Sequence, residues 1–303
     1  MNIPVIMMFD DNYIIPAAVA IYSMLSNADT GHNYDIRIIY KDITDAHKDK
    51  LNTLVERFPN ASILFHKINC TDLPDRISGW PQEIIYKLLV AELFPDVDKA
   101  IVTDVDVVFE GDVSKEFIDF DSEDYCAMVK EAALPWDKPY SSDVTDDNIH
   151  FMYGAGYMIY NCKAMRRDNM PKKYIDFMYN NLQFLKLPDQ EILNIVSNPK
   201  IKELHPRNMV LVTWYRINEW VFDKYDYNST AQEHHEALSN PVQLHYVGYK
   251  TWGKPWYDPN APCAEIWFRY LTYTNFFDEY YSNLFNQIRK VKSKRRSVWK
   301  WFK

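Results

Sequence analysis

Two carboxylates one residue apart are the first residues in this chain whose spacing could do chemistry. Asp104 and Asp106 lie in the segment 99–112, KAIVTDVDVVFEGD, directly after a short β-branched apolar run. Such a run is typical of a buried strand, and alternate residues of an extended segment project to the same side. Neighbouring carboxylates repel each other unless a cation lies between them, and oxygen ligands suit Mg²⁺ or Mn²⁺. The pair therefore indicates a divalent metal site, with a solvated acidic turn as the alternative.

His245 supplies a third candidate ligand late in the chain. It lies in the apolar run 242–246, which is typical of a strand, and is followed by Gly248, Gly253 and Lys254. Glycine lets backbone N–H groups approach phosphate oxygens, and lysine supplies a positive charge. Two carboxylates, an imidazole and a diphosphate complete an octahedral Mn²⁺ site. This combination suits the departure of a nucleoside diphosphate.

The elements that must position these residues follow a simple order in the first third of the chain. We predict strands at 3–9, 34–40, 61–66 and 99–104, and helices at 14–25, 45–58 and 84–93. Alternating strands and helices are typical of a mostly parallel, doubly wound α/β sheet. Such sheets bind ligands at the carboxyl ends of their strands, where Asp104 and the segment 10–13 fall.

The second half of the chain is less regular. We predict strands at 123–129, 157–160 and 242–246, helices at 171–185, 188–197 and 264–274, and loops at 135–150 and 249–262. The small residues Gly154, Ala155 and Gly156 either let a ligand approach the backbone or form a turn that opens the next strand. Asp189 and Gln190 fall in a first helical turn, where an acidic residue is an ordinary partner of the helix dipole.

Five short segments, taken in order, resemble glycosyltransferase family 8, and especially its bacterial lipopolysaccharide galactosyl- and glucosyltransferases. They are DDNY at 10–13, DVD at 104–106, AG at 155–156, DQEILN at 189–194 and HYVG…KPW at 245–256. The resemblance implies a Rossmann-like, mostly parallel mixed sheet flanked by helices, which is the glycosyltransferase A type. It also implies a retaining, metal-dependent enzyme. Such an enzyme would transfer a hexose from UDP-galactose or UDP-glucose to a glycan or glycolipid acceptor such as lipopolysaccharide core.

The resemblance further implies a role for each matching residue. Asp104, Asp106 and His245 would ligate Mn²⁺, or Mg²⁺ in its place. The donor-binding set would be Asp10, Asn12 and Tyr13 at the uracil and ribose, Gly248 and Lys254 at the diphosphate, Lys87, Ala155, Gly156, Asp189 and Gln190 around the sugar, and Asp104, Val105, Asp106 and His245 at the metal. Lys254, Asp189 and Gln190 would be the catalytic residues.

Three positions depart from the family pattern and leave the donor sugar open. Lys87 replaces an arginine, Gly154 replaces an asparagine, and the loop between Gly248 and Lys254 is two residues longer. Lysine lacks the planar fork of arginine, so the first exchange is not conservative. For the mechanism we predict attack on the same face as the leaving group, because the amide of Gln190 is a poor nucleophile. Double displacement through Asp189 is the alternative.

Two other functions fit part of the pattern. A haloacid dehalogenase-type phosphohydrolase also has D-x-D-x-V after an apolar strand, with the first aspartate, here Asp104, as the nucleophile. That class usually opens with the motif, whereas here three strand–helix units precede it, and His245 would have no role. A non-catalytic protein that binds sugar nucleotides or membranes is the third alternative.

Composition and charge restrict the remaining classes. The 303 residues carry a net charge of −8, and the basic residues are concentrated at the C-terminus, where 286–303 holds eight of them and no acid. The acidic body disfavours nucleic acid as a general partner. The four cysteines form no C-x-x-C pair, the N-terminus lacks a signal-peptide pattern, and no apolar run reaches the ~18–20 residues of a membrane span. We therefore expect a cytoplasmic protein with reduced thiols.

The chain divides into two predicted parts. Residues 1–275 would form the catalytic domain, and 276–303 would form a basic, amphipathic helix or tail ending in Trp299, Trp301 and Phe302. Basic residues with aromatic anchors fit a helix on an anionic membrane surface, here the inner face of the plasma membrane. A solvated tail and an RNA-binding arm are the alternatives. The acceptor would contact the loop 131–150 and the aromatic segment around Trp214, Tyr215 and Trp220.

Overall fold

A computed structural model describes residues 1–69, 73–131, 152–216, 231–248, 253–286 and 289. In chain order its strands are β1 (Asn2–Met8), β2 (Asn33–Tyr40), β3 (Ala61–Lys67), β4 (Arg76–Ile77), β5 (Trp80–Pro81), β6 (Ala100–Thr103), β7 (Val107–Phe109), β8 (Cys126–Glu131), β9 (Met152–Tyr160), β10 (Ile201–Leu204), β11 (Val210–Leu211) and β12 (Gln243–His245). The helices are α1 (Ile14–Asn27), α2 (Asp45–Val55), α3 (Val90–Leu93), α4 (Ser114–Asp119), α5 (Cys162–Arg167), α6 (Met170–Asn181), α7 (Pro188–Ser197), α8 (Ala231–Ser239) and α9 (Ala264–Leu271).

A seven-stranded sheet in the order β10-β8-β9-β6-β1-β2-β3 forms the centre of the molecule. β1 pairs in parallel with β2 and β6, and β2 pairs in parallel with β3. Only β9 runs against its neighbours β6 and β8. The predicted α/β class and the mostly parallel mixed sheet are therefore confirmed.

Helices cover both faces of this sheet, which explains why its central strands are apolar along their whole length. All but the first residue of β1 is buried, as expected for a parallel strand between two helical layers. One hydrophobic core lies between the sheet and helices α1 and α2. The other lies between the opposite face and helices α3, α5, α6 and α7.

A second, three-stranded sheet in the order β11-β12-β7 brings the end of the chain back to the middle. β12 pairs antiparallel with β7, which places His245 opposite Val107. Since Val107 follows Asp106 directly, this small sheet carries the late histidine to the early aspartates.

Several predicted elements differ from the structure in type or extent, and two of them lie next to the site. The predicted helix 84–93 begins as the 3₁₀ segment Gln82–Leu89 and becomes α-helical only in α3. Buried residues recur there at three-residue intervals, at Gln82, Ile85 and Leu88, which is the spacing that aligns side chains on a 3₁₀ helix. The predicted strand 157–160 begins earlier, at Met152, so Gly154, Ala155 and Gly156 lie within β9 rather than in a turn.

The end of the described chain leaves the body as a helix. Phe276 is buried in the core under α1 and α2, and Phe277 and Tyr280 pack against a third apolar cluster around Trp267. Residues 277–286 are helical, and from Tyr281 onward every described residue is exposed. Most of the predicted basic tail lies outside the described residues, as does the predicted loop 135–150.

Three of the four cysteines lie within the described residues. Cys126 and Cys162 are buried, Cys263 is partly buried, and all three are free thiols, while Cys70 lies outside the described residues. Within the described part of the chain, no helix combines the length and the apolar character that crossing a membrane requires.

Candidate active site

Asp104 and Asp106 lie where the chain passes from the large sheet to the small one. Asp104 follows β6, and its N–H donates to the carbonyl oxygen of Gly156 at 3.1 Å. Asp106 precedes β7, and its carbonyl oxygen accepts from the N–H of Tyr246 at 2.9 Å. The backbone of Asp104 is thus held to the middle of β9, and that of Asp106 to the end of β12. This fixes where both carboxylates can point.

His245 completes a cluster with the two aspartates. Its Nε2 lies 3.3 Å from an oxygen of Asp106 and 3.6 Å from an oxygen of Asp104. The three ligand atoms all lie within 4.8 Å of one another. Neighbouring ligands of an octahedral ion with bonds of about 2.1 Å are roughly 3 Å apart. Two carboxylates and an imidazole at these distances therefore fit a divalent cation such as Mn²⁺ or Mg²⁺.

Gly156 provides the space that the imidazole occupies. A Cβ at this position would lie 2.4 Å from Nδ1 and 2.5 Å from Cε1 of His245, so no side chain fits there. The Gly156 carbonyl oxygen also accepts from Asp104 and from the hydroxyl of Thr103. The structure thus places Gly156 against the imidazole of His245, and its contact with a sugar stays a prediction.

Lys87 links the cluster to helix α7. Its ammonium lies 2.7 Å from Asp104 and 2.7 Å from Asp189, and it donates to the carbonyl oxygen of Ala155 at 3.1 Å. The residue is only 2% exposed. Burial alone would lower the pKa of Lys87, but the two carboxylates outweigh it and raise the pKa above its usual value. The lysine therefore stays charged and balances two carboxylates, the buried Asp189 and the partly buried Asp104.

Lys254 is the second buried cation of the site. It pairs with Asp106, donates to the carbonyl oxygen of Tyr246 at 3.1 Å, and lies 5.3 Å from the ring centre of Trp256. Burial lowers the pKa of Lys254, and the carboxylate of Asp106 more than offsets this, so the net shift is upward. Gly253 shapes the preceding backbone, with a φ of +90° and no room for a Cβ beside the Val247 carbonyl.

The two aspartates differ in their electrostatic surroundings. Burial raises the pKa of Asp104, because the countercharge of Lys87 does not fully offset the loss of water. For Asp106, burial acts in the same direction, but Lys254 and His245 together hold its pKa well below the usual range. The pKa values of these two neighbouring carboxylates thus shift in opposite directions. A cation placed between them would favour the state in which both are ionised.

Helix α7 presents Asp189 and Gln190, and Asn194 attaches the helix to the sheet. The side chain of Asn194 accepts from the N–H of Tyr153 at 2.7 Å and donates to the carbonyl oxygens of Tyr153 and Gln190 at 2.8 and 2.7 Å. The buried amide thus fixes α7 on β9. The sequence pattern does not indicate this role, although the spacing of four between Gln190 and Asn194 puts them on one helix face.

The segment 10–13 forms a single 3₁₀ turn at the end of β1. Asp10 caps the turn, and its carboxylate accepts from the backbone and the side chain of Asn12 at 3.0 and 2.8 Å. Tyr13 packs edge-on against Trp256, 6.1 Å away, and its ring lies 5.9 Å from the ammonium of Lys254. Burial raises the pKa of Tyr13 to about 12, so its hydroxyl stays protonated near neutral pH.

The remaining residues predicted to contact the donor or the acceptor lie outside the cluster of Asp104, Asp106 and His245. Val105 is buried in the core around β1, so its side chain faces away from the cluster. Gly248 has a φ of 137° just after the small sheet. Trp214 is buried and packs 4.9 Å from His234, whereas Tyr215 is exposed. Trp220 lies outside the described residues.

The strand order of the large sheet, with the carboxylate–histidine cluster at the carboxyl end of β6, defines a protein of the glycosyltransferase A architecture. The sequence profile of Glycosyl transferase family 8 matches residues 4–258, and the chain belongs to this family. Family membership makes the protein a glycosyltransferase.

Individual relatives are distant but cover most of the chain. General stress protein A of Bacillus subtilis is 25% identical over 277 residues, which cover 88% of this chain and 92% of that protein. A lipopolysaccharide 1,2-glucosyltransferase of Escherichia coli is 24% identical over 284 residues, covering 91% and 76%. The galactosyltransferase LgtC, solved in complex with donor and acceptor sugar analogs, has a TM-score of 0.73 at 20% identity, covering 90% of this chain and 96% of that chain. At this identity the structural likeness shows the fold alone.

The position of Gly156 predicts the effect of a single added methyl group. Gly156→Ala should weaken Mn²⁺ binding by at least about 10-fold, because the new Cβ would push the imidazole of His245 away from the aspartates. Titration calorimetry with MnCl₂ measures this change. Gly31→Ala, a surface substitution distant from the cluster, is the control and should bind Mn²⁺ like the wild type. Unchanged Mn²⁺ affinity in Gly156→Ala would show that His245 is not a ligand.

Proposed function

We propose that the protein is a retaining hexosyltransferase that uses UDP-galactose or UDP-glucose. Its acceptor would be a saccharide or a glycolipid such as lipopolysaccharide core, and its cation would be Mn²⁺, with Mg²⁺ as the alternative. The observation that carries this proposal is the cluster of Asp104, Asp106 and His245 between two buried lysines, in a family 8 fold. A curated relative that is a lipopolysaccharide 1,2-glucosyltransferase supports the acceptor class.

The charge balance of the site suits a metal-bound diphosphate. Three carboxylates, Asp104, Asp106 and Asp189, face two ammonium groups, Lys87 and Lys254. A bound Mn²⁺ would supply Lewis-acid stabilisation for the charge that develops on the leaving phosphate. Together with the lysines it would make the site net positive, which matches an anionic donor.

Lys254 is well placed to bind the diphosphate. Its ammonium is buried near both Asp106 and Tyr13, between the candidate metal ligands and the turn proposed to hold uracil and ribose. A preorganised cation in a site shielded from water stabilises a leaving group more than the same charge in bulk water. We therefore assign Lys254 to the leaving UDP, with Gly248 beside it, and Lys87 to the sugar end of the donor.

The pairing of Asp189 favours same-face attack over a covalent intermediate. Its side chain is 12% exposed and ion-paired with Lys87, which holds the carboxylate in place and makes it a weaker nucleophile. A carboxylate in this state is a better hydrogen-bond acceptor for sugar hydroxyls than a nucleophile. The departing phosphate would accept the proton of the acceptor hydroxyl, with Gln190 at the reacting face of the anomeric carbon.

Family membership favours this function over the phosphohydrolase alternative. In that alternative the carboxylate of Asp104 would attack phosphate, but here it is engaged by Lys87 and lies beside His245. A trial of generic phosphate esters with Mg²⁺ distinguishes the two functions, since a glycosyltransferase should not hydrolyse them.

The central test is UDP release from a panel of UDP-sugars. With Mn²⁺ present, UDP-galactose or UDP-glucose should give the fastest release, and Asp106→Asn should lower the rate by about 100-fold or more through loss of a metal ligand. A coupled UDP assay measures both. Glu110→Gln is the matched control, since Glu110 follows the other end of β7 and pairs with Arg269 at the surface. Metal-independent release, or none from any UDP-sugar, would contradict the proposal.

The proposed mechanism predicts that two residues at the start of α7 each contribute to kcat. Gln190→Ala and Asp189→Asn should each lower kcat by about 10- to 100-fold, because each removes a polar contact to the reacting sugar without removing a nucleophile. Steady-state kinetics and the anomeric configuration of the product, read by NMR, test this. If Gln190→Ala kept near-full activity while Asp189→Asn lost it, and a glycosylated Asp189 were trapped, double displacement would be correct instead.

We also propose that residues 276–303 bind an anionic membrane surface while 1–275 carry the chemistry. The composition of the tail, eight basic residues and no acid in 286–303, supports this proposal. So do the exposed side chains of Tyr281, Leu284 and Phe285 on the helix that leads into it. A cytoplasmic enzyme held at the inner face of the membrane could meet a lipid-linked acceptor there.

Truncation tests the membrane proposal. A chain ending at Tyr281 should lose most of its binding to vesicles that contain phosphatidylglycerol, because each basic residue near such a surface contributes about 1 kcal/mol. Flotation of the full and truncated proteins measures the bound fraction, and neutral phosphatidylcholine vesicles are the control. Equal flotation of the two proteins with anionic vesicles would refute the proposal. Binding to RNA in place of vesicles would identify the tail as an RNA-binding arm.

A further inference from the structure

The turn at 10–13 is attached to helix α2 through Asp11, the one residue of the turn to which the sequence assigned no separate role. An oxygen of Asp11 accepts from the N–H of Thr44, the N-cap of α2, at 3.1 Å. The same oxygen lies 2.7 Å from Nδ1 of His47 in the first turn of α2. Asp11 therefore turns away from Asp10 and Asn12 and joins the turn to a helix.

His47 in turn connects α2 to the C-terminal helix. Its other ring nitrogen, Nε2, lies 3.1 Å from Glu279, which belongs to the helical residues 277–286. The ring also lies 6.0 Å from the ring of the buried Phe276. Both nitrogens of His47 thus face carboxylates from distant parts of the chain, and its ring is fixed from two sides.

Lys50 contacts Glu279, as His47 does, but it does not share the contact of His47 with Asp11 among the described contacts. One turn along α2, its ammonium lies 2.5 Å from the second oxygen of Glu279 and 4.1 Å from the ring centre of Phe276. The described contacts of Lys50 do not include Asp11. His47 and Lys50 therefore both hold the C-terminal helix, and only His47 also holds the turn.

The turn needs such an anchor because it has little internal support. Its one internal backbone hydrogen bond runs from the N–H of Tyr13 to the carbonyl oxygen of Asp10, and the N–H of Asn12 donates to the Asp10 side chain. A single 3₁₀ turn at a strand end is a weak structure by itself. Its orientation relative to the sheet depends on contacts made from outside. The N–H of Asp11 donates to the carbonyl oxygen of Asp42 at 3.1 Å, and the Asp11 carboxylate contacts Thr44 and His47.

We propose that His47 is a positioning residue for the donor turn. Through Asp11 it holds the turn 10–13 in the shape that presents Asp10, Asn12 and Tyr13 to the nucleotide, and its contact with Glu279 is separate from this role. The nucleotide part of this proposal rests on the proposed function, whereas the link between His47 and the turn does not. The segment that leads into the basic tail is thereby connected to the turn through three side chains, those of Glu279, His47 and Asp11.

Two conservative substitutions separate the two contacts of His47. The amide nitrogen of asparagine reaches about as far as Nδ1 of histidine, and that of glutamine about as far as Nε2. His47→Asn should therefore keep the contact with Asp11 and lose the one with Glu279. His47→Gln should do the reverse. Lys50→Ala weakens the attachment of the C-terminal helix without touching Asp11, and serves as a control for a merely structural role.

The experiment compares these three full-length variants with the wild type by two measurements. Amide hydrogen exchange of the peptide containing residues 10–14 reports the turn directly, and calorimetry with UDP and Mn²⁺ reports its consequence. In His47→Gln, exchange of the turn and the Kd for UDP should each rise about 3- to 10-fold. His47→Asn and Lys50→Ala should stay within about twofold of the wild type.

Every outcome decides one of the two claims. Unchanged exchange at 10–14 in His47→Gln, or an equal rise in Lys50→Ala, would overturn the positioning role. Faster exchange confined to His47→Gln with an unchanged Kd for UDP would show that the turn is held by His47 but does not bind the nucleotide. If the wild type binds no UDP while exchange separates the variants as expected, the positioning role stands and the proposed donor fails.

Discussion

Repulsion among clustered carboxylates is the constraint on which the site depends. Asp104, Asp106 and Asp189 come together where β6 ends, and their mutual repulsion favours positive charge placed between them. Lys87 and Lys254 supply part of that charge from inside the protein, and both are nearly inaccessible to solvent. The carboxylates alone would favour only a cation, and the lysines alone would favour only an anion. Together they favour a cation and an anionic ligand bound at the same time.

Three distant parts of the chain have to meet for this balance to exist. The large sheet places Asp104 beside Gly156, the small sheet carries His245 back to the aspartates, and Asn194 fixes the helix that bears Asp189. At two points in the site the backbone of one segment must approach another group more closely than a Cβ would allow. Gly156 admits the imidazole, and Gly253 admits the backbone that leads to Lys254. Glycine is scarce in this chain, with seven in all, and two of them are used where a Cβ would collide within the site.

The sequence predicted the sheet class and the members of the cluster, because both depend on local patterns. Apolar runs separated by amphipathic stretches predict parallel strands, and Asp104 falls at a strand end by simple position. The contacts between these residues were not predictable, since they depend on long-range pairing. Nothing local indicates that Lys87 bridges Asp104 and Asp189, or that Asn194 binds the backbone of Tyr153. The 3₁₀ segment Gln82–Leu89 was predicted as an α-helix because periods of 3.0 and 3.6 residues are hard to distinguish over two turns.

The double pairing of Lys87 has a thermodynamic consequence. One ammonium pairs both with Asp104 of the candidate metal cluster and with Asp189 in the first turn of α7. A ligand that withdraws Asp104 from Lys87 therefore strengthens the hold of Lys87 on Asp189. Occupancy at either carboxylate then changes the free energy of binding at the other, and the coupling is equal in both directions. If Asp104 ligates the cation and Asp189 binds the sugar, as proposed, cation affinity and sugar preference would be linked, and a substitution at position 87 would alter both at once.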